Sequence, residues 1–181
     1  MDSFSDLVRA RRSIRSYSGR VIDQKDLDKC AEAARYAPSA CNSQPWKFII
    51  VNDSAVKKDI ANKVFSGIYS MNSFAADAAA YIVIVSERTK LAASVAGALI
   101  RTDFGQIDLG IAYSHISLQA QALGIGSCAL GWFDSKALKR ILRIPHATSA
   151  GLIVALGYSS GCVLPERKLK DRCRTISLNH Y

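Results

Sequence analysis

Ala37-Pro38-Ser39-Ala40-Cys41-Asn42-Ser43-Gln44-Pro45-Trp46 joins an amphipathic helical pattern over residues 23–36 to an apolar run over residues 47–51. Pro38 cannot continue the helix, because its ring has no N–H and clashes with the preceding turn. Serine, asparagine and glutamine side chains then compete with the backbone for hydrogen bonds, so the chain must turn. Pro45 pushes Gln44 towards an extended conformation, and Trp46 can anchor the following strand in a core. An ordinary helix-to-strand connection accounts for the two prolines. It does not account for so many amides and hydroxyls, whereas a loop folding over a polar, planar ligand accounts for both.

Upstream of this loop, Asp2 or Ser3 can cap a first helix carrying Phe4, Leu7 and Val8 at helical spacing, which runs out at Ala10-Arg11-Arg12-Ser13. Asp23 is the expected cap of the second helix, with Asp26 in a box-like arrangement and Leu27, Cys30, Ala31 and Ala34 on one face. Downstream, the pattern predicts a strand over 46–51, a helix capped by Ser54 to about residue 64, and a broken helical stretch over 67–79. A buried strand is expected over 81–85, and residues 89–99 carry no clear pattern. A long helix over 101–123 is apolar nearly all round, which suits a central or interface position. Gly124-Ile125-Gly126 should stop it. A short strand over 128–130, a helix over 135–142 capped by Asp134, a buried strand over 152–156, a loop over 161–164 and a final strand or extended tail over 174–178 complete the reading. Helices and strands intermix without a strict βαβ rhythm. An α+β sandwich with one mixed sheet and helices on both faces is therefore expected.

At 181 residues the chain fits a single domain spanning 1–181, and 49% hydrophobic with 22% charged residues argues against disorder. The longest apolar runs, 78–85 and 152–156, are too short to span a bilayer. No basic segment followed by an apolar one is visible near the start, so no secretory signal is expected and the cytoplasm is the expected location. The formal charge of +9 favours anionic partners. Five cysteines (Cys30, Cys41, Cys128, Cys162, Cys173) include no Cys-x-x-Cys pair, so neither metal nor disulfide is expected.

Arg11-Arg12-Ser13-Ile14-Arg15 sets three guanidinium groups and a hydroxyl within reach of one another. Guanidinium forks hold phosphate oxygens bidentately, and three like charges this close invite an anion between them. A solvated helix end, with arginines complementing the helix dipole, is the competing explanation. Gly124, Gly126 and Gly131 follow a helix and have the wrong spacing for a dinucleotide fingerprint. Leu130-Gly131 could instead present backbone donors to a flat ring; a tight turn is the alternative. His115 reads as a structural histidine on the long helix, and Cys41 as either a reactive thiol or a small packing residue. No nucleophile or paired carboxylates stand out. Arginines and polar loops without an acid–base pair suggest an enzyme whose cofactor carries the chemistry.

In order, Arg11-Arg12-Ser13-Ile14-Arg15, the Pro38 to Trp46 stretch, the segment from Asp108-Leu109-Gly110 to Cys128 with Gly131 beyond it, and Arg167-Lys168 resemble the nitroreductase-like FMN-dependent oxidoreductase family. The resemblance implies a dimeric three-layer α-β-α sandwich around a mixed, mostly antiparallel sheet, with FMN at the subunit interface of a homodimer. It implies that Arg11, Arg12, Ser13 and Arg15 hold the phosphate and ribityl end. Pro38, Ser39, Ala40, Asn42 and Gln44 would come from the other subunit, Leu130 and Gly131 would contact the ring edge, and Arg167 or Lys168 would complete the phosphate site. Asn72 sits where some members have a ring-contacting asparagine. Ala40 replaces a serine common in the family, Ala75 stands where some members have a lysine, and the segment between Val85 and Arg101 is short for a lid. These departures bear on substrate preference.

The function implied is hydride transfer from NADH or NADPH to FMN and then to a nitroaromatic, quinone or flavin in a ping-pong cycle. A specialised member (dehalogenating or flavin-consuming) is the alternative within flavin chemistry. A non-redox basic binding protein is the rival from another class, but Trp46, Trp132 and Phe133 read as core rather than as a nucleic-acid platform. Neither nucleic acid nor membrane is an expected partner.

Overall fold

The sheet is built on one strand that is apolar at almost every position. In the computed structural model, which describes residues 3–87, 94, 97, 99, 101–161 and 165–181, this strand is β2 (Ala80–Ser86), buried along nearly its whole length. β1 (Trp46–Val51) flanks it on one side and β4 (Ser149–Gly157) on the other, and β3 (Gly126–Leu130) lies outside β4, giving the order β1-β2-β4-β3. Each neighbouring pair is antiparallel. Outside these strands, an isolated parallel bridge joins Ser13 to Ser127.

Side chains alternate across β2, as strand geometry requires. Tyr81, Val83 and Val85 enter one core with Ile60, Val64, Phe65 and Leu138. Those partners come from α3 (Ser54–Val64), the residue after it, and α5 (Ser135–Leu142). Ile82 and Ile84 enter the opposite core with Leu27, Cys30, Leu109 and Ile116. There the partners are α2 (Gln24–Arg35) and α4 (Phe104–Ala122). Two helical layers thus cover the two faces, and the fold is an α+β, three-layer α-β-α sandwich.

Several helix starts follow the expected capping chemistry. Ser3 accepts from the Asp6 N–H at the head of α1 (Phe4–Ala10), and Asp134 accepts from the Ala137 N–H. Others differ. Asp53, not Ser54, caps α3 by accepting from the Val56 N–H at 2.9 Å. Asp23 occupies the N-cap of α2 without a side-chain bond, and Asp26 pairs with Lys29, so the box does not form. The long helix begins at Phe104, where Asp103 caps it. Gly124, at φ +71°, turns the chain out of α4, and β3 begins at Gly126, two residues earlier than expected. The broken stretch is a 3-10 run over Gly67–Asp77. The tail holds a 3-10 turn at Arg172–Arg174 and no strand over 174–178, while most of 89–99 and residues 162–164 lie outside the described residues.

Candidate functional site

The arginine strip is laid along the start of β3. Arg11 ends α1, and the chain then runs extended, with the Ile14 N–H donating to the Ser127 carbonyl at 3.0 Å. Ile14 is buried there, and a Cβ on Gly126 would stand 2.5 Å from its Cγ1, so only glycine permits the approach. The Tyr17 hydroxyl returns to the Ile14 carbonyl at 2.8 Å and fixes the far end of the strip. Arg11 Nη1 is buried and has no hydrogen-bond partner among the described residues. A buried guanidinium nitrogen without an acceptor costs free energy, so this atom fits an anion. Burial raises the titration of Cys128 and Tyr113, and the charges of Arg11 and Arg15 oppose that rise in both. Both charges are therefore felt by Tyr113 of α4 and Cys128 of β3.

Arg12 is directed elsewhere. Its Nη2 donates to the Pro165 carbonyl at 2.5 Å, which ties the strip to the start of the C-terminal tail. Arg167 and Lys168 follow two and three residues later and are exposed.

The loop before β1 holds a cluster of unusual backbone. Cys41, Asn42 and Gln44 have φ of +53°, +49° and +47°. Each costs on the order of 1–3 kcal/mol for a non-glycine residue, and such geometry persists only where surrounding contacts over-determine it. Those contacts are present. Ser39 Oγ accepts from the Gln44 N–H at 2.9 Å, Ser43 Oγ donates to the Ala40 carbonyl at 2.6 Å, and Gln44 Nε2 donates to Asn42 Oδ1 at 2.9 Å. The Ala40 N–H donates to the carboxylate of Asp108, which is 2% exposed. Pro38, Asn42 and Gln44 remain exposed, while Ser39 and Ala40 are half-buried. Asp108 is a site residue that the sequence reading passed over. Its signal is chemical: it is the one carboxylate in α4, a helix with no lysine or arginine.

At the other end of β3, Leu130 is buried and Gly131 is exposed. A Cβ on Gly131 would meet nothing nearer than Leu152 Cδ1 at 4.0 Å, so the chain's own packing does not demand glycine there. Asn72 Nδ2 donates to the Trp132 carbonyl at 2.6 Å, and Trp132 Nε1 donates to the Ile68 carbonyl at 3.0 Å. The Trp132 and Tyr69 rings lie 5.3 Å apart. These links clamp the Gly131-Trp132 turn to the 3-10 run.

The strip that carries Arg11 and Arg15 thus runs along the head of β3, and Asn72 is joined to the turn at its end. Arg12 reaches the tail that carries Arg167 and Lys168 through the Pro165 carbonyl. The Pro38 to Gln44 loop is held at Asp108 and the strip neighbours Tyr113. Those α4 positions lie about 140° apart around the helix. Among the described residues, no group of three or more histidine, cysteine or acidic side chains could hold a metal, and no helix is long and apolar enough to cross a membrane.

The nitroreductase family model matches residues 8–71 and 69–158. A protein of Archaeoglobus fulgidus, provisionally named NADH dehydrogenase/NAD(P)H nitroreductase, is 35% identical over 162 residues, covering 87% of this chain and 86% of its own. The crystal structure of a nitroreductase family protein from Clostridium novyi NT superposes with a TM-score of 0.76 at 29% identity, covering 88% of this chain and 86% of that one. An FMN-dependent nitroreductase from Clostridium difficile R20291 superposes with a TM-score of 0.72 at 26% identity, covering 97% and 98% of the two chains. On its sequence and its fold alike, this chain belongs to the nitroreductase family.

Proposed function

We propose that the chain is an FMN-dependent NAD(P)H oxidoreductase, folded as one domain over 1–181 and working as a cytoplasmic homodimer. The observation that carries the reading is Arg11 Nη1, buried without an acceptor among the described residues, in a strip that holds three arginines and a serine. A flavin phosphate would supply the missing oxygen, with Ser13 and Arg15 beside it, while Arg12, through its bond to the Pro165 carbonyl, would hold the tail that brings in Arg167 or Lys168. Bound FMN would supply the chemistry of hydride transfer between a nicotinamide donor and an electron-poor acceptor (nitroaromatic, quinone or flavin), the two binding in turn.

The remaining residues bind and orient. Leu130 and Gly131 offer bare backbone to the ring edge, and donors there favour the anionic reduced form. Asn72 holds the Trp132 carbonyl, so its part is to fix that turn. Pro38, Ser39, Ala40, Asn42 and Gln44 of a second copy would close over the ring and ribityl chain. Two features support a second copy. α1 has no buried residue although it carries Phe4 (70% exposed). All seventeen residues from 165 to 181 are exposed, including Leu169 and Leu178. Apolar surface of this kind marks an interface.

The test is the visible absorbance of the purified protein, followed by anaerobic NADH and NADPH. A flavin spectrum that bleaches with either donor is the expected result. A colourless protein that cannot take up added FMN would overturn the reading.

A further inference from the structure

The outward side of α5 is a stripe of cations. Lys136, Lys139 and Arg140 recur at i, i+3 and i+4, so they share one side, while Ala137 and Leu138 are buried on the other; Arg143 follows at the C-cap, in left-handed backbone. The helix contains no acidic residue, and the carboxylate of its cap, Asp134, is engaged by the Ala137 N–H. Among the described residues no carboxylate stands within ion-pair distance of these four cations. Asp59, which shares a neighbouring hollow with Arg140, is taken by Lys63 at 3.0 Å.

Cations in a last helical turn complement the helix dipole, which explains Lys139 and Arg140. Lys136 stands in the first turn, where the dipole is positive and a cation is unfavourable. An anion held between the two ends resolves that conflict. The space for one exists: Ser135, Lys136, Lys139, Arg140 and His146 line a surface hollow, with Lys139 Nζ donating to the His146 carbonyl at 3.3 Å.

We propose that this hollow holds the 2′-phosphate of NADPH and makes NADPH the preferred electron donor. The inference rests on the reading above that Gly131 borders the flavin ring. Ser135 follows Gly131 by four residues, so it lies within about 14 Å, a separation that an extended dinucleotide can bridge. The ligand's charge also fits. A phosphate monoester carries about −1.5 to −2 at neutral pH. That suits several unpaired lysines and arginines better than the hydroxyl NADH has in its place.

The experiment compares the FMN-loaded protein with Lys136→Gln/Arg140→Gln, two exposed positions whose replacement leaves the core intact. Flavin reduction by NADPH and NADH is followed anaerobically, and binding of 2′,5′-ADP and 5′-ADP is titrated without turnover. The expected result is a lower KM for NADPH than for NADH in the parent protein. In the variant the NADPH value rises about tenfold or more, from lost charge-assisted contacts, with NADH kinetics, flavin content and Tm unchanged. Tight binding of 2′,5′-ADP, but not of 5′-ADP, should weaken in parallel. An unchanged NADPH-to-NADH ratio, or no preference for 2′,5′-ADP, would overturn the proposal. So would a stripe that binds single-stranded oligonucleotide and ignores 2′,5′-ADP, since the face would then be a nucleic-acid surface. If the protein holds no flavin, the cofactor reading fails alone, and 2′,5′-ADP binding still decides the hollow.

Discussion

The buried carboxylate of Asp108 accepts the backbone N–H of Ala40 through both oxygens, at 3.1 and 3.3 Å. This contact joins α4 to the loop in which Cys41, Asn42 and Gln44 all adopt left-handed backbone. The strain in the loop is local, whereas the anchor is remote in sequence. Formation of the loop is therefore conditional on the sandwich being closed.

Replacing Asp108 by alanine leaves the Ala40 N–H without its acceptor. A loss of about 1.5–3 kcal/mol in unfolding free energy is expected, because the bond is to a charged group. Asp108→Asn keeps an acceptor oxygen and removes a desolvated charge, so its cost should stay below about 1 kcal/mol. Urea unfolding of the three proteins checks this ordering. Equal stability of Asp108→Ala and the parent would show that the loop does not depend on the contact.

Arg11→Ala should act in opposite directions with and without cofactor. In the flavin-free protein it removes a buried nitrogen that lacks a partner, so Tm should hold or rise. With FMN it removes a charge-assisted phosphate contact, and affinity should fall about tenfold to a hundredfold. Arg11→Lys should not restore binding, because an ammonium cannot reproduce the planar fork. Unchanged flavin retention in Arg11→Ala would remove Arg11 from the phosphate site.

Much of this architecture was legible because it is written in local chemistry. The apolar run ending at Val85 could only be an interior strand, and Asp134 capped α5 as its position before Ser135 demands. What stayed hidden depends on tertiary partners. Asp23 and Ser54 are both good capping residues, yet one makes no side-chain bond and the other yields to Asp53, one residue earlier. Residues 174–178 alternate as a strand would, but no sheet edge among the described residues meets them. Asp108 stands out as the one carboxylate of α4, but its partner was hidden for the same reason: it is 68 residues away. The loop itself stood out by composition, since proline, amide and hydroxyl residues act on their immediate neighbours.

Two glycines near β3 should respond differently to alanine. At Gly126 the new methyl would meet Ile14 Cγ1 at 2.5 Å and the Gly157 carbonyl oxygen at 3.0 Å. Overpacking of that kind costs about 1–3 kcal/mol and would push the arginine strip off β3, so stability and FMN affinity should fall together. At Gly131 the nearest atom is 4.0 Å away, so Gly131→Ala should keep its Tm. It should nevertheless weaken flavin binding or slow bleaching by donor, because the methyl enters the space assigned to the ring. Normal flavin behaviour in Gly131→Ala would place the ring edge elsewhere.

Cys30 supplies a prediction in pH. Burial, assisted by the nearby Asp26 charge and opposed by Lys29, pushes its thiol from 9.0 up to about 12. The neutral thiol is the form that the folded core accepts. The unfolded chain releases the proton near pH 9, while the folded chain keeps it to about 12. The stabilising contribution of the neutral thiol is therefore complete below pH 9 and declines as pH rises through the window from 9 to 12. Within that window the loss should approach about 1.4 kcal/mol per pH unit from this one group. Denaturant unfolding at pH 8, 9 and 10 of the parent and of Cys30→Ala isolates the effect, since the buried Tyr17 and Tyr81 hydroxyls remain in both proteins. The alanine variant should start less stable and lose less on the way to pH 10. Parallel losses in the two proteins would mean that the Cys30 thiol ionises as readily in the fold as in the open chain.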